Sequence, residues 1–298
     1  MTRERIALIG FGEVGRTLAA DLENAGIAAL TAWDRLFPSE ASDPSRAAAR
    51  CAHVAVASDM RTALHGSTFI ISAVTAAECL AAAREAAGAI GRDAVYLDLN
   101  SVSPETKRGA ARVIEQAGAR YVEAAVMSPI APKRIATSIL LGGPHAAEFA
   151  SRARALGFAG IRVFDAAVGS ASAAKMCRSI IVKGLEALVA ESLLTARRYG
   201  VDGEVLASLG DLFPGDRWET RAAYMISRSL EHGARRAAEM REAAATVADA
   251  GLEPWMSNAA AQRQEWAAAH APGVSRGELN PLLDELLRAI PFTQRNIA

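Results

Sequence analysis

The chain has little cysteine, few aromatic residues and no excess of either charge, and each absence excludes a class of protein. The three cysteines, Cys51, Cys79 and Cys177, lack metal-site spacing and cannot all pair, which favours reduced, buried thiols in a cytosolic protein. Lysine plus arginine and aspartate plus glutamate both total 33, and this balance argues against a nucleic-acid-binding protein. Aromatic residues make up only 5% of the chain, whereas alanine dominates its 51% hydrophobic content, which predicts much helix.

Long apolar runs are also missing, since none approaches the roughly 18 residues that a membrane-spanning helix needs. The N-terminus carries charges and then an apolar run, as a signal peptide does, but Gly10, Gly12 and Glu13 cut that run to strand length. We therefore expect a soluble, cytoplasmic protein that enters no membrane. No cluster of His, Cys and Asp has ligand spacing, so we expect no metal site. Isolated histidines are interpreted as structural or surface residues: His53, His65, His145 and His270.

At 298 residues the chain exceeds a typical single core, which favours two domains. In its first half, short apolar strands alternate with amphipathic helices, and this alternation predicts a parallel sheet wound by right-handed crossovers. The predicted strands are residues 6–9, 28–33, 54–57, 69–73, 94–97, 120–125, 139–141 and 161–163. Helices fit between them, for example at residues 14–25, 76–89 and 104–117. The carboxyl ends of such strands form a ligand crevice.

The pattern changes after Asp165, where strand signals end. Residues 170–198 contain no Pro and one Gly and are apolar on nearly every face, so we expect this helix to be buried between domains or subunits. Further helices are predicted at 203–209, 217–240, 241–250 and beyond Pro254, with Pro254, Pro272, Pro281 and Pro291 as terminators. The predicted fold class is α/β: a Rossmann-type doubly wound parallel sheet in residues 1–166, followed by an all-helical substrate and dimerisation domain in residues 167–298.

A glycine-rich turn with the pattern Gly-x-Gly-x-x-Gly follows the first predicted strand and opens a helix, which is the context that dinucleotide binding requires. The first glycine permits the tight turn, the second lets the backbone approach a pyrophosphate, and the third packs helix on strand. Free N–H groups at the helix N-terminus then favour the phosphates. The candidate cofactor-binding residues of this turn are Gly10, Phe11, Gly12, Glu13, Val14 and Gly15.

Asp34 ends the second predicted strand, at the position where an acidic side chain receives the ribose hydroxyls of a dinucleotide. A carboxylate there repels a 2′-phosphate, so Asp34 favours NAD. Arg35 follows directly and could receive a 2′-phosphate instead. The cofactor is therefore predicted as NAD or NADP, with NAD favoured.

Four segments stand out as motifs: residues 10–15 (Gly-Phe-Gly-Glu-Val-Gly), 98–104 (Asp-Leu-Asn-Ser-Val-Ser-Pro), 123–129 (Glu-Ala-Ala-Val-Met-Ser-Pro) and 169–177 (Gly-Ser-Ala-Ser-Ala-Ala-Lys-Met-Cys). Together they resemble the motifs of the β-hydroxyacid dehydrogenases, a superfamily that includes 3-hydroxyisobutyrate and 6-phosphogluconate dehydrogenases. In the family the second motif lies beside the nicotinamide, the third cradles the substrate and the fourth carries a catalytic lysine. The resemblance covers most of the chain and implies a dehydrogenase.

The same resemblance assigns roles to individual residues. It places Asn100 and Ser101 at the nicotinamide ribose and Ser128 near the substrate. It makes Lys175 the general acid/base. This role is physically reasonable, because in a closed apolar cleft the pKa of a lysine falls toward the operating pH and lets the amine take or return the hydroxyl proton. Val74 and Thr75, just beyond the fourth strand, would flank the cofactor.

Three departures mark a divergent branch of the family. In the third motif, Met127-Ser128-Pro129 replaces the family's usual Ser-Gly-Gly, which changes the surface on which the substrate would lie. The family's asparagine four residues after the lysine is replaced by Ser179, preceded by Arg178, and we place both among the candidate substrate-binding residues. Ala238-Glu239 stands where a Lys-Asp pair is common. The fold can still be inferred from the family despite such differences, but the identity of the substrate cannot.

A basic cluster in the second domain comprises Arg228, His232, Arg235 and Arg236. Positions 228, 232 and 235 share one helix face. We interpret His232 and Arg235 as part of a clamp for an anionic substrate, because arginine binds carboxylate or phosphate bidentately. The alternative is a solvated face whose cations pair with Glu231, Glu239 and Glu242.

The sequence thus predicts a homodimeric NAD(P)-dependent oxidoreductase that moves a hydride between a nicotinamide cofactor and a small, acidic hydroxy compound. Two alternatives stay open. An imine reductase would share the fold but act on C=N. A non-catalytic dinucleotide-sensing protein would need neither Lys175 nor Asn100.

Overall fold

The structure is a computed structural model that describes residues 4–27, 29–215, 217–271, 274 and 277–290. Its strands are β1 (Arg5–Ile9), β2 (Ala29–Trp33), β3 (Val54–Val56), β4 (Phe69–Ser72), β5 (Val95–Asp98), β6 (Arg120–Val126), β7 (Ile139–Gly142) and β8 (Ile161–Asp165). The helices of the same region are α1 (Glu13–Asn24), α2 (Asp43–Ala48), α3 (Met60–Leu64), α4 (Cys79–Ala87), α5 (Pro104–Gln116) and α6 (Ala146–Ala155). The strands form one sheet in the order β3-β2-β1-β4-β5-β6-β7-β8.

Both faces of the sheet are covered by apolar packing. In β1, Ile6 and Leu8 belong to one buried cluster while Ala7 and Ile9 belong to another, because successive side chains of a strand point to opposite faces. Every residue of β4 and β5 is buried. Near-continuous apolar strands of this kind are typical of sheets with helices on both sides. The predicted fold class is confirmed, and each predicted strand matches an observed one within the described residues; Ala28, the predicted first residue of β2, lies outside them.

The prediction of a wholly parallel sheet is wrong at one pair. β6 and β7 run antiparallel, whereas the other neighbouring pairs are parallel. The connection between these two strands contains only a single turn of 3-10 helix, Arg134–Ala136. A parallel return needs a longer crossover, usually an α-helix, so β7 folds back beside β6 instead.

The chain divides into two compact units, Met1–Met176 and Cys177–Ala298, and the division falls within α7 (Ser170–Tyr199). The second unit contains the end of α7 and four further helices: α8 (Asp202–Leu212), α9 (Trp218–Asp249), α10 (Trp255–Ala269) and α11 (Leu279–Ala289). Its core is mainly aliphatic and includes Leu193, Ile226 and Leu283, with Trp218 in the same cluster. A Cβ on Gly233 would collide with the backbone of Gln264, so α9 and α10 approach closely at this glycine.

Two details of the predicted helices are wrong. The predicted break after Met240 does not occur, because residues 238–244 contain neither glycine nor proline and α9 continues to Asp249. Pro281 lies in the first turn of α11 rather than ending a helix, and a proline is tolerated there because its missing N–H would have no partner in the helix. Pro254 directly precedes α10. Pro272 and Pro291 lie outside the described residues.

The part of the chain that the structure describes contains neither a membrane-spanning helix nor a metal cluster. None of its helices is long and apolar enough to cross a bilayer. No group of three or more His, Cys, Asp or Glu side chains in that part is placed to hold a metal ion. Two of the isolated histidines have local partners: His53 Nδ1 lies 2.8 Å from Glu23 Oε2, and the His270 ring stacks on Trp266 with ring centres 4.4 Å apart. His65 and His145 lie at helix ends, after α3 and before α6.

Candidate active site

The glycine-rich turn between β1 and α1 depends on contacts that only glycine permits. Gly10 has a φ of +91°, and a Cβ on it would lie 2.5 Å from the carbonyl oxygen of Ala73. A Cβ on Gly15 would collide with the carbonyl oxygen of Gly10. Gly12, by contrast, has open space at its Cβ position. The turn is therefore tightly packed at both ends and leaves room for a ligand at Gly12, directly before the N-terminus of α1.

The other three predicted residues of the turn differ in their surroundings. Phe11 is fully buried, and Val14 packs against the same core cluster. Glu13 is exposed and is the first residue of α1, where a negative charge suits the positive end of the helix dipole. The side chains of Phe11 and Val14 thus anchor the turn to the sheet.

Asp34, which directly follows β2, holds the turn through its carboxylate. Its Oδ2 accepts a hydrogen bond from the Phe11 N–H at 2.7 Å, and its Oδ1 accepts one from the Leu36 N–H at 2.9 Å. The neighbouring Arg35 has a different partner, since its Nη1 lies 2.5 Å from Glu78 Oε1. Glu78 lies in the 3-10 turn before α4 and was not among the candidate residues of the sequence analysis.

A cavity of about 290 Å³ opens beside these residues. It lies at the carboxyl ends of β1, β2 and β4, where the sheet order reverses and where ligands of doubly wound folds bind. Its lining residues are Gly10, Gly12, Trp33, Asp34, Arg35, Leu36, Pro44, Ala73, Val74, Thr75, Glu78, Ala81, Ala82 and Glu85. The structure therefore brings six of the predicted cofactor residues into one cavity: Gly10, Gly12, Asp34, Arg35, Val74 and Thr75.

Asn100 connects the loop after β5 to the loop after β4. Its Oδ1 accepts a hydrogen bond from the Val74 N–H at 2.7 Å, and its Nδ2 donates to Ser72 Oγ at 3.0 Å. The side chain is almost completely buried, with 3% of its surface exposed. The amide therefore fixes the backbone of Val74 at the edge of the cavity.

Beneath Asn100 lies a buried polar network centred on Asp98. Lys107 Nζ lies 2.9 Å from Asp98 Oδ1 and donates to the Asp98 backbone carbonyl at 2.8 Å, and neither side chain is exposed. Asp98 Oδ1 also accepts from the Asn100 N–H at 2.9 Å, and Oδ2 accepts from the Tyr121 hydroxyl at 2.7 Å. Burial, reinforced by the Asp98 charge, raises the pKa of Tyr121, so its hydroxyl stays a donor. The network fixes the backbone of Asn100.

The Cys79 thiol is a second donor to Asp98 Oδ2, at 3.5 Å. Burial and then the Asp98 charge raise the pKa of its thiol, which keeps it protonated and unreactive. This matches the interpretation of the cysteine as a buried thiol. Cys177, by contrast, is exposed and Cys51 is partly buried.

Lys175 lies in the second turn of α7 and donates a hydrogen bond from Nζ to Ser101 Oγ. Two predicted residues from distant parts of the chain, the acid/base and a cofactor residue, thus meet directly. Lys175 is partly buried.

The N-terminus of α7 is held by Glu123, a fully buried residue of β6. Glu123 Oε2 accepts from the Gly169 N–H at 2.7 Å, and Oε1 accepts from the Ser172 N–H at 2.6 Å. A carboxylate at this end is favoured by the helix dipole and satisfies two N–H groups that have no partner within the helix. These contacts fix the turn of α7 that immediately precedes Lys175.

Ser128, the predicted substrate residue of the third motif, forms a hydrogen bond with Thr137, with 2.8 Å between the two hydroxyl oxygens. Thr137 is fully buried and also lies 3.3 Å from the carbonyl oxygen of Pro129. The hydroxyl of Ser128 is thus tied to the segment that leads into β7. Its assignment to the substrate stays a prediction.

Among the predicted residues of the second unit, Ser179, His232 and Arg235 have partners within that unit. Arg178 is exposed, whereas Ser179 is buried and accepts a hydrogen bond from Lys183 Nζ at 3.1 Å. Lys183 Nζ lies 2.6 Å from Glu239 Oε2. Burial lowers the pKa of Lys183, and the Glu239 charge partly opposes this effect.

The basic cluster of α9 lies among carboxylates. Arg228 Nη1 and His232 Nε2 lie 3.4 Å and 3.6 Å from Glu231 Oε2, and Arg235 Nη1 lies 3.6 Å from Glu239 Oε1. Arg236 points elsewhere, because it is buried and pairs with Glu186. These ion pairs involve two of the carboxylates named in the alternative interpretation, and the role of His232 and Arg235 as an anion clamp stays a prediction.

Sequence reasoning missed Lys107, Tyr121, Glu123 and Glu78. A signal for Lys107 was readable, since positions 107, 110, 111 and 114 lie at helical spacing and all four are buried. A lysine on the apolar face of a helix predicts a buried partner. The partners of the others come from distant segments, and although Glu123 opens the third family motif, nothing in that motif reveals its contact with the start of α7.

The family model for the NAD-binding domain of 6-phosphogluconate dehydrogenase matches residues 5–169 of the chain. The chain belongs to this family. Membership confirms the predicted β-hydroxyacid dehydrogenase superfamily and, with it, an oxidoreductase that uses a nicotinamide cofactor. A second model, a domain of unknown function, matches residues 196–267.

Similar proteins include two solved structures and one curated enzyme. A conserved hypothetical protein from Sinorhizobium meliloti is 37% identical, with 97% of each chain covered and a TM-score of 0.75. A conserved protein of unknown function, described as structurally similar to 3-hydroxyacid dehydrogenases, is 30% identical over 89% of this chain and 97% of that one, with a TM-score of 0.67. The mitochondrial 3-hydroxyisobutyrate dehydrogenase of Drosophila melanogaster is 23% identical over 72% of this chain, and the match spans 65% of that enzyme.

Proposed function

We propose that this family member moves a hydride between a nicotinamide cofactor and a small, acidic hydroxy compound, with Lys175 as the general acid/base. The hydrogen bond from Lys175 Nζ to Ser101 Oγ carries the proposal. It sets a proton-transfer group directly beside the loop that, by resemblance to the family, faces the nicotinamide. The mitochondrial 3-hydroxyisobutyrate dehydrogenases among the relatives support a small hydroxy acid as the substrate class.

The residues present fit a dinucleotide. The open space at Gly12 admits a pyrophosphate against the N-terminus of α1, which a side chain at that position would fill. Asp34 and Arg35 would lie at the adenosine ribose, and Val74, Thr75 and Asn100 would flank the nicotinamide half. When bound, the nicotinamide supplies or accepts the hydride.

Lys175 would act on the proton of the substrate hydroxyl. In the direction of oxidation, Nζ in its neutral form takes that proton as the C–O bond gains double-bond character, and in the direction of reduction the ammonium returns it. Ser101 keeps Nζ at the loop after β5, and Glu123 fixes the helix turn that carries it. Both contacts restrict where the proton can be delivered.

Turnover on a panel of short hydroxy acids with carboxylate or phosphate ends, followed through the absorbance of the reduced nicotinamide, tests the proposed chemistry. We expect oxidation of at least one of these acids. Cyclic imines belong in the same panel, because turnover of imines alone would show an imine reductase. Cofactor binding with no turnover of any member would favour a dinucleotide-sensing protein.

We expect NAD(H) to bind more tightly than NADP(H), by about 1–3 kcal/mol, because a 2′-phosphate would face the Asp34 carboxylate while the neighbouring Arg35 is paired with Glu78. The Asp34 carboxylate accepts hydrogen bonds from the N–H groups of Phe11 and Leu36, so it cannot move away from a 2′-phosphate without breaking them. Fluorescence titration of the protein with both reduced cofactors measures the difference. Equal or tighter binding of NADPH would mean that Arg35 determines the preference.

We further propose that the chain forms a homodimer through α7. Ile181 and Leu188 lie two turns apart on this helix with 73% and 54% of their surfaces exposed, which is unfavourable for a helix that faces water. Light scattering at micromolar concentration should report about twice the chain mass of 31.3 kDa. Ile181→Glu should shift that value toward one chain mass. A strict monomer in the unmodified protein would contradict the proposal.

A further inference from the structure

The cavity beside the glycine turn carries an unequal set of charges. Its lining residues include one guanidinium, that of Arg35, and three carboxylates, those of Asp34, Glu78 and Glu85. A 2′-phosphate carries close to two negative charges at neutral pH and requires a cation to balance them. Arg35 is therefore the lining residue on which acceptance of NADP would depend.

Arg35 already has a partner, since its guanidinium lies 2.5 Å from the Glu78 carboxylate. The Arg35 side chain is 59% exposed and the Glu78 side chain 31%, so the more exposed cation pairs with the more buried anion. The position of Glu78 is set by its own backbone, because its N–H donates to the Thr75 carbonyl at 3.0 Å and α4 begins at the next residue. Asp34 is held by the backbone of the turn and does not share in this pair.

We propose that Glu78 determines cofactor preference by holding Arg35 in an ion pair. This rests on the proposed use of a nicotinamide cofactor. A 2′-phosphate can recruit Arg35 only by leaving Glu78 without its cation, close to the new negative charge. A ribose hydroxyl is neutral and makes no such demand. Glu78 therefore disfavours NADP(H) twice, once by retaining the cation and once by its own charge, and leaves NAD(H) unaffected.

The test compares Glu78→Gln with Glu85→Gln in the purified protein, using fluorescence titrations with NADH and NADPH. Both substitutions remove one negative charge from the same cavity, but only the first releases Arg35. We expect Glu78→Gln to tighten NADPH binding about 5- to 10-fold and to leave the NADH affinity within about 2-fold. Glu85→Gln should change the ratio of the two affinities by less than about 2-fold. Adding Arg35→Ala to Glu78→Gln should abolish the gain.

An unchanged NADPH-to-NADH ratio in Glu78→Gln, in a protein that binds NADH, would overturn the role of Glu78 and leave the proposed function intact. An equal gain in Glu85→Gln would also overturn it, by showing that total charge and not the ion pair matters. Failure of the unmodified protein to bind either cofactor would overturn both proposals. Thermal unfolding of each variant checks that it is folded.

Discussion

Replacing Lys175 with alanine should lower kcat by about 10²–10⁴-fold, the usual contribution of a positioned proton-transfer group, while NAD binding stays intact. Binding should survive because the glycine turn is held by Asp34 and by the close contacts of Gly10 and Gly15, whereas Lys175 donates to Ser101 in the loop after β5. The measurement is steady-state turnover on whichever hydroxy acid proves active, together with an NADH titration of the same variant.

Arg235→Ala serves as the contrasting variant. If Arg235 belongs to an anion clamp, its loss should mainly raise KM, since a clamp holds the ground state and the transition state alike. Ser101→Ala removes the observed partner of Lys175 and should lower kcat by less than the loss of the lysine itself. Normal turnover of Lys175→Ala would show that the lysine assignment is wrong, although family and fold would stand.

Lys107→Met should destabilise the protein by about 3–5 kcal/mol, because it leaves the Asp98 carboxylate buried without its cation. Methionine fills a volume similar to that of lysine, so the loss is mainly electrostatic. The two partners have 1% and 0% of their side-chain surfaces exposed, and Lys107 also bonds the Asp98 carbonyl. Urea unfolding followed by circular dichroism measures the change in the free energy of unfolding.

Arg112→Met is the matched control for this prediction. Arg112 lies on the same helix and pairs with Glu105, but the partners are 61% and 53% exposed. Water and salt screen the attraction between exposed charges, so this variant should unfold almost as the unmodified protein does. Similar losses for the two variants would mean that the buried pair contributes no more than an exposed one.

Lys107→Met should also loosen the Asn100 backbone and weaken NADH binding, because Asp98 contacts both Lys107 and the Asn100 N–H.

Local patterns were enough to predict the strands and the glycine turn. Alternating or continuous apolar runs reflect how many faces of a strand are buried. The Gly-x-Gly-x-x-Gly turn reflects the positive φ of Gly10 and the close contacts at Gly10 and Gly15. Both are properties of a few adjacent residues. The position of Asp34 at the end of β2 followed from the same alternation, and family motifs singled out Lys175.

Tertiary structure decided what required two distant segments to meet. The antiparallel return of β7 depends on a connection without an α-helix, and the partner of a strand is not encoded in the strand itself. Lys107 lies on an apolar helix face that the sequence pattern shows, but that pattern does not reveal that its partner is Asp98. Glu123 at the start of α7 and Glu78 beside Arg35 likewise look like ordinary acidic residues in the sequence. The sequence alone determined the fold class and the cofactor turn, because these depend on patterns among neighbouring residues. Only the tertiary structure determined which charged residues pair, because burial and distance are set when the chain is packed.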